Sequence, residues 1–161
     1  MFSPLAFPGR PVPLPDVWDG YRAARTRVLE FLANERVRDL AILSGDVHSS
    51  WALDVPRNPW DGYTGRTGEG SMAVELVTPA VSSPPLFADP VIRENALALR
   101  IALPHLKFLD GERRGYLLVD VTQERLLAEW YHVAGVLERS DAETRGAAFS
   151  CERGSGRLGS A

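Results

Sequence analysis

The chain has 161 residues, of which 45% are hydrophobic and 24% are charged, and its formal net charge at pH 7 is -3. This length and composition are those of one ordinary globular domain, and the acidic balance argues against nucleic acid, whose binders carry a basic face. No apolar run reaches the roughly 18 residues of a transmembrane segment. The single cysteine, Cys151, excludes an internal disulfide.

The amino-terminal segment, residues 1–15, is rich in proline and is predicted to be extended and unpaired. It lacks the basic start and apolar centre of a signal peptide, so the compartment stays open. A helix is predicted from an N-cap at Asp19 to about Glu35. Its sheet-facing side is predicted from the apolar residues that recur at helical spacing: Tyr21, Ala24, Val28, Phe31 and Leu32.

The next segment, residues 37–43, is predicted to be a buried strand that ends at Ser44-Gly45. Asp46 and His48 follow directly, and in α/β sheets ligands collect beyond the carboxyl ends of strands. A hard oxygen donor beside an imidazole suits a divalent or trivalent metal that activates water, so both residues are predicted metal ligands. The alternative is that Asp46 caps a turn and His48 is an ordinary polar loop residue.

The remaining elements follow from periodicity and turn formers. They are a loop over 54–71, a strand over 72–77, a helix near 89–103, a turn over 106–114, a hairpin of strands 116–121 and 126–133, and a possible edge strand over 147–151. A helix before a strand and a late hairpin predict an α/β fold with a mixed sheet.

Three further side chains are candidates for chemistry. His105 follows Pro104 at the exit of the predicted helix, a position from which it could reach a cleft. Arg113 and Arg114 could hold a phosphate through forked donors, or they could form a charged hairpin shoulder. His132 lies within a strand pattern, which favours a structural role.

Five segments of the sequence resemble the PhoD-like alkaline phosphatases, and the resemblance covers roughly residues 16–149. They are Trp18-Asp19-Gly20-Tyr21, Ser44-Gly45-Asp46-Val47-His48-Ser49-Ser50-Trp51, Pro104-His105-Leu106-Lys107-Phe108, Gly111 to Tyr116, and Val119-Asp120-Val121-Thr122. The resemblance implies part of a calcineurin-like αββα metallophosphoesterase sandwich. It also implies hydrolysis of phosphate esters at metal ions, which would be iron and calcium.

Within that resemblance, Asp46 and His48 correspond to a late metal-binding pair. His105 corresponds to a histidine beside the active site and would be a ligand or a catalytic acid. Arg113 and Arg114 stay candidates for phosphate contact. Leu103 stands where the family usually has asparagine, and Pro79 and Ala80 depart from its Gly-Thr-Ser-Ile-Ser-Ser turn.

The family's first metal ligands belong to an amino-terminal half, and no counterpart precedes Asp46. The sequence therefore predicts a carboxyl-terminal portion of such an enzyme, with residues 1–15 as an entry segment, 16–137 as the phosphatase portion and 138–161 as a polar tail. Low activity alone and an uncovered sheet edge are expected. The alternatives are a non-catalytic fragment or subunit that needs a separate amino-terminal half, and a phosphodiesterase of the phospholipase D type.

Overall fold

The computed structural model describes residues 1–5, 17–94 and 96–161. Of the predicted extended segment 1–15, residues 6–15 therefore lie outside the described residues. The elements are a 3-10 turn at Trp18–Tyr21, helices α1 (Arg22–Asn34), α2 (Pro90–Glu94) and α3 (Ala96–Ala102), and strands β1 (Ala41–Ser44), β2 (Ser50–Pro56), β3 (Ser71–Val77), β4 (Leu106–Asp110), β5 (Gly115–Val121), β6 (Arg125–Val133), β7 (Glu143–Glu152) and β8 (Gly159–Ser160).

The first sheet is mixed and has the strand order β1-β3-β2-β4. β1 pairs in parallel with β3, from Ala41 opposite Val74 to Ser44 opposite Val77. β2 is antiparallel to both of its neighbours, β3 and β4. β1 is therefore an edge strand of this sheet, and its carboxyl end leads directly into the segment with Asp46 and His48.

The second sheet is antiparallel and has the order β5-β6-β7-β8. It begins with the predicted hairpin, in which β5 pairs with β6 from Gly115 opposite His132 to Val121 opposite Leu126. The possible edge strand over 147–151 is longer than predicted and is not at the edge. It forms the middle of β7, which pairs with β6 along its length and with β8 at Phe149 and Ser150.

The two sheets pack face to face around Trp130. Its indole Nε1 donates a 2.9 Å hydrogen bond to the Val77 carbonyl, which joins the sheets inside the core. Because side chains alternate along a strand, Val74 and Leu76 face this interior, whereas Glu75 and Val77 face outward. The interior is lined by Ala52, Val74, Leu76, Ala128, Trp130, Cys151 and Leu158. This arrangement confirms the predicted α/β sandwich with a mixed sheet.

The outer face of the mixed sheet is covered by α1, by the α2–α3 region and by residues 1–5. Leu5 and Leu103 pack with Trp51 and Leu53 in one cluster. Phe2 packs with Leu29 and Leu32 in another. No helix in the described parts of the chain is long and apolar enough to cross a membrane.

Two predictions about helix α1 are wrong. Leu32 is buried as predicted, but the other buried residue is Leu29, and Tyr21 and Phe31 are 62% and 60% exposed, so the buried side is rotated from the predicted one. Asp19 is not the cap residue, because α1 begins after Tyr21 and Asp19 lies within the 3-10 turn before it. Its carboxylate instead accepts hydrogen bonds from the Leu5 amide and from Arg25. The tertiary pairing of Asp19 has replaced the local cap.

The predicted buried strand and two predicted loops also need correction. β1 is short, and its Leu43 side chain is 63% exposed. No described strand pairs with its outer edge. β2 and β4 lie at the centre and far edge of the same sheet, although the sequence predicted a loop from residue 54 and a turn over 106–114. Every residue of β2 is buried, so it shows no alternation.

Candidate functional site

The turn between β1 and β2 holds the predicted pair in an unusual backbone conformation. Asp46 and His48 have φ angles of 69° and 53°, in the left-handed region. This region is uncommon for residues other than glycine, and asparagine, aspartate and histidine enter it most often. Residues held there cluster at functional sites, so the observed backbone supports a role for this turn.

Hydrogen bonds anchor the turn on both sides. The Thr78 amide donates to the Ser44 carbonyl at 3.0 Å, and the Leu86 amide donates to the His48 carbonyl at 3.0 Å. The Ser49 hydroxyl donates to the Val47 carbonyl and accepts from the Trp51 indole. The turn is therefore held by its own residues and by the segment 78–86 that follows β3.

The His48 ring is oriented by a single backbone acceptor. Its Nδ1 lies 3.0 Å from the Pro84 carbonyl oxygen. A carbonyl oxygen can only accept, so Nδ1 must carry the hydrogen, and the neutral ring then keeps the lone pair of Nε2. Histidines that bind metals commonly donate their other ring nitrogen to such an acceptor. The arrangement fits His48 as a ligand through Nε2.

The donor set for a metal is only partly present. Asp46 is exposed and His48 is half-buried, so both are accessible at the carboxyl end of β1. Across residues 1–5, 17–94 and 96–161, no group of three or more His, Cys, Asp or Glu side chains could hold a metal ion. The described residues thus offer two donors of suitable chemistry at this turn, and a metal site there would need further ligands.

A second polar group lies behind the turn, where the two sheets meet. The Ser50 hydroxyl and His132 Nε2 are 3.3 Å apart, and both residues are buried. Burial, together with the charge of Arg113, lowers the pKa of His132, and Asp110 acts in the opposite direction. A Cβ at Gly146 would collide with the His132 ring, so only glycine allows this packing. His132 therefore packs against Gly146 behind Ser50 and is not part of the exposed turn.

The two adjacent arginines have different partners. Arg113 donates from Nε to the Asp110 carboxylate at 2.6 Å. Burial acts to raise the pKa of Asp110, but hydrogen bonds from the amides of Arg113 and Glu112 and from the Arg113 side chain hold it below its ordinary value. Arg114 donates from Nε to the carbonyls of Ser82 and Ser83. Neither Nε is free for a phosphate.

His105 is not brought together with Asp46 and His48. β4 runs antiparallel to β2, with Asp110 opposite Ser50 and Leu106 opposite Leu53, so His105 lies beside Asp54. The four-residue offset from Ser50 to Asp54 corresponds to about 13 Å along the strand, on the side away from His48. The predicted grouping of the three residues is therefore absent.

The side chain of His105 is closed off from solvent. Its side chain is fully buried, packs edge-on against Trp60, and has no hydrogen bond of normal geometry at either ring nitrogen within the described residues. Burial lowers the pKa of His105 to about 4, and the charges of Arg25 and Lys107 act in the same direction, whereas the Pro4 backbone opposes them. His105 is therefore a buried ring inside the fold and is not part of the exposed turn.

Sequence reasoning missed two fully buried carboxylates. Glu75 accepts hydrogen bonds from the amides of Phe2 and Ser3 and from the Ser44 hydroxyl. Asp54 accepts from the Tyr63 hydroxyl and the Leu158 amide. The signal for Glu75 was its position as the one charge in the predicted strand 72–77. Asp54 gave no such signal, because its neighbours read as a loop.

One cavity in the described structure lies away from the candidate turn. It has a volume of about 600 Å³ and lies at the amino end of β1, between the sheets, where its lining includes Ala41, Val74 and Leu126. Asp46 and His48 do not line it. This cavity is therefore separate from the candidate turn.

Comparisons with known proteins give concordant results. A family model described as PhoD-like phosphatase matches residues 8–130. Alkaline phosphatase D of Bacillus subtilis (strain 168) is 29% identical over 140 residues, which is 83% of this chain and 22% of that protein. A solved structure titled "Structure of PhoD" matches with a TM-score of 0.79 and 23% identity, over 99% of this chain and 30% of that one. The chain therefore spans about a quarter of the length of these relatives.

Proposed function

The chain belongs to the PhoD-like phosphatase family, and from this premise we propose that it contributes one side of a metal-dependent site for hydrolysis of phosphoric esters. The observation that carries the proposal is the turn after β1. It presents an accessible carboxylate at Asp46 and an imidazole at His48 whose Nδ1 is engaged by the Pro84 carbonyl.

Asp46 and His48 would supply two different kinds of metal ligand. Asp46 supplies a negatively charged hard oxygen donor, and His48 supplies a neutral nitrogen donor at Nε2. The metals, when bound, supply positive charge and an activated water near the phosphate. Iron with calcium is our proposal for them, because an imidazole suits iron and a carboxylate suits both.

Substrate contact is proposed for the terminal nitrogens of Arg114 and, more weakly, of Arg113. The Nε atoms of both residues are occupied within the chain. Arg113 also pairs with the Asp110 carboxylate through NH2, which reduces its capacity to bind an anion. His105 was predicted as a ligand or catalytic acid, but its burial supports a structural role, and we propose no catalytic step for it.

The first test measures metal binding and phosphate release. We expect Asp46→Ala and His48→Ala each to weaken binding of Mn²⁺ to the purified chain by about tenfold or more, because each removes one of two donors. Asp61→Ala is the matched control, since Asp61 is an exposed carboxylate on another loop. Isothermal titration calorimetry gives the affinity, and release of phosphate from 4-nitrophenyl phosphate with added iron and calcium gives the activity.

Equal Mn²⁺ affinity in the wild-type chain and both variants would contradict the proposed site. Activity of the isolated chain that disappears in the two variants would support the full proposal and reject an inert fragment. Comparing this monoester with bis(4-nitrophenyl) phosphate decides between a phosphomonoesterase and a phosphodiesterase of the phospholipase D type.

A second candidate function is a subunit that is inactive until a separate amino-terminal half binds. Two observations favour it: the donor set is incomplete, and the outer edge of β1 has no described partner strand. An unpaired edge exposes backbone donors and acceptors that readily join another strand. We propose that the complementing half pairs with β1 and brings the remaining ligands to its carboxyl end.

The open edge gives a separate prediction. We expect Leu43→Lys to reduce self-association of the isolated chain, because Leu43 is 63% exposed on this edge and a lysine opposes edge-to-edge pairing. Ile101→Lys is the control, since Ile101 is 76% exposed on helix α3 and is not part of a strand edge. Sedimentation velocity over a range of concentrations measures the change. Equal self-association of the two variants and the wild-type chain would contradict the prediction that the β1 edge mediates self-association.

A further inference from the structure

A 3-10 turn at Leu86–Ala88 follows β3, and the segment between them, residues 78–85, lies between His48 and Arg114. Its Pro84 carbonyl contacts His48 Nδ1 at 3.0 Å. The two carbonyls directly before it, of Ser82 and Ser83, accept from Arg114 Nε at 3.2 and 2.8 Å. Arg114 therefore holds the peptide groups adjacent to the one that orients the histidine.

The ends of this segment are tied to the same two regions. Its beginning is bonded to β1 through the Thr78 amide and the Ser44 carbonyl, and its end to the turn through the Leu86 amide and the His48 carbonyl. Its middle is bonded to β5, where the Gly115 amide donates to the Ala80 carbonyl at 3.0 Å. Between these points, His48 and Arg114 are the side chains to which residues 82–84 are hydrogen-bonded, and the described residues provide no others.

The direction of the Pro84 carbonyl decides which nitrogen His48 presents. A neutral imidazole has one N–H and one lone pair, and an acceptor at Nδ1 selects the form with the lone pair on Nε2. If Pro84 turned away, the ring could place its hydrogen on either nitrogen. A fixed carbonyl thus fixes the nitrogen available to a metal.

Arginine suits this task better than lysine would. Its guanidinium is planar and permanently charged, so one N–H can point between two carbonyl oxygens and hold both in a fixed direction. Hydrogen bonds from an ionised donor are roughly twice as strong as those between neutral groups. Arg113, the preceding residue, pairs with Asp110, and its side chain forms no hydrogen bond to residues 82–84 that the structure describes.

We propose that Arg114 is a positioning residue for His48, acting through the carbonyl of Pro84 to keep the imidazole in the form with a free Nε2. This assigns its Nε a role within the protein, in addition to any contact of its terminal nitrogens with phosphate. The inference rests on the proposed function only in taking His48 as a metal ligand.

The test reads the tautomer of His48 directly and needs neither metal nor substrate. The chain has three histidines, so ¹⁵N-labelled imidazoles give a simple spectrum, and His48→Gln identifies the His48 signals. Spectra are recorded well above the ordinary histidine pKa of about 6.5. We expect the wild-type chain to show His48 with its hydrogen on Nδ1, and Arg114→Ala to show a mixture of both forms.

Matched variants separate positioning from general loss of charge. Arg113→Ala removes an equal charge one residue away and should leave the His48 signals unchanged. Arg114→Lys, which keeps the charge but offers no planar fork, should fall between wild type and Arg114→Ala, and it serves if the alanine variant does not fold. A His48 tautomer that is unchanged in the Arg114 variants, or equally changed by Arg113→Ala, would overturn the proposal.

Metal affinity gives the second readout. We expect Arg114→Ala to weaken Mn²⁺ binding by about tenfold, as loss of a group that orients a metal ligand commonly does. If the tautomer changes but His48→Ala leaves Mn²⁺ affinity intact, the positioning role stands and the proposed metal site fails. If His48→Ala weakens Mn²⁺ binding and the Arg114 variants leave the His48 tautomer unchanged, the proposed metal site stands and the positioning role of Arg114 fails.

Discussion

Replacing Glu75 by alanine is expected to lower the free energy of unfolding by about 3 kcal/mol, because it leaves buried donors without an acceptor. The Glu75 side chain is fully buried and accepts from the amides of Phe2 and Ser3, each at 2.7 Å, and from the Ser44 hydroxyl at 2.6 Å. Urea denaturation followed by circular dichroism measures the change.

Two variants make the Glu75 result specific. Glu75→Gln keeps an acceptor oxygen in the same place and should lose less stability than Glu75→Ala. Glu124→Ala removes an exposed carboxylate from the β5–β6 turn and is expected to change the free energy of unfolding by no more than about 0.5 kcal/mol. A loss below about 1 kcal/mol for Glu75→Ala would show that the amides find another partner, and the account of residues 1–5 would then be wrong.

Glu75 also connects stability to the candidate site. Its contact with Ser44 lies at the last residue of β1, directly before Gly45 and Asp46. Loss of the Ser44–Glu75 hydrogen bond at the end of β1 would therefore also make residues 45–48 more mobile. Faster amide hydrogen exchange at residues 45–48 in Glu75→Ala, without faster exchange in β6, would locate the effect at the turn.

Acidification from pH 6.5 to pH 4 is expected to destabilise the protein through His105 by about 3 kcal/mol. Burial lowers the pKa of His105 to about 4 in the folded chain, whereas an unfolded histidine has a pKa near 6.5. Between these values the unfolded chain binds a proton that the folded chain does not. Stability therefore falls as the pH falls through this window, by about 1.4 kcal/mol for each unit at most.

The control for this effect is a difference between variants, since other groups also titrate in acid. His132 has a lowered pKa as well, and its contribution stays in both chains. His105→Gln removes the ionisable ring, so its free energy of unfolding should vary less steeply between pH 6.5 and 4 than that of the wild-type chain. Parallel slopes for wild type and His105→Gln would mean that water reaches the His105 ring.

The elements predicted correctly from the sequence are those whose pattern is local. The strand over 72–77 matches β3, the helix near 19–35 matches α1, and the strands 116–121 and 126–133 match the β5–β6 hairpin. Each has alternation, helical spacing or a short polar turn within a few neighbouring residues. The predicted fold class follows from this order of elements.

β2 and β4 escaped prediction because their stability comes from distant partners. β2 contains Ser50, Asp54 and Pro56, which resemble turn formers, yet all seven of its residues are buried. Asp54 is acceptable there because Tyr63 and Leu158 donate to its carboxylate and Lys107 lies 3.2 Å away. Partners about ten to a hundred residues away leave no local pattern.

The same reason explains the buried face of α1. Helical spacing showed that the helix is amphipathic, but Leu29 and Leu32 were selected by contact with Phe2, Val55 and Ala73. The periodicity of a sequence does not say which of two apolar stripes meets a sheet. That choice needs the surface against which the helix packs.

The sequence by itself determined the turn after β1: an apolar strand, a break at Ser44-Gly45, and the donors Asp46 and His48 that follow it. These features are contiguous, so backbone preferences and side-chain chemistry were enough to find them. Only the tertiary structure decided that His105 is buried beside Asp54 and that Arg114 reaches the carbonyls before Pro84. Strand register and the packing of segments far apart in the chain set those contacts. Neither the register nor the packing can be predicted from a short stretch of residues.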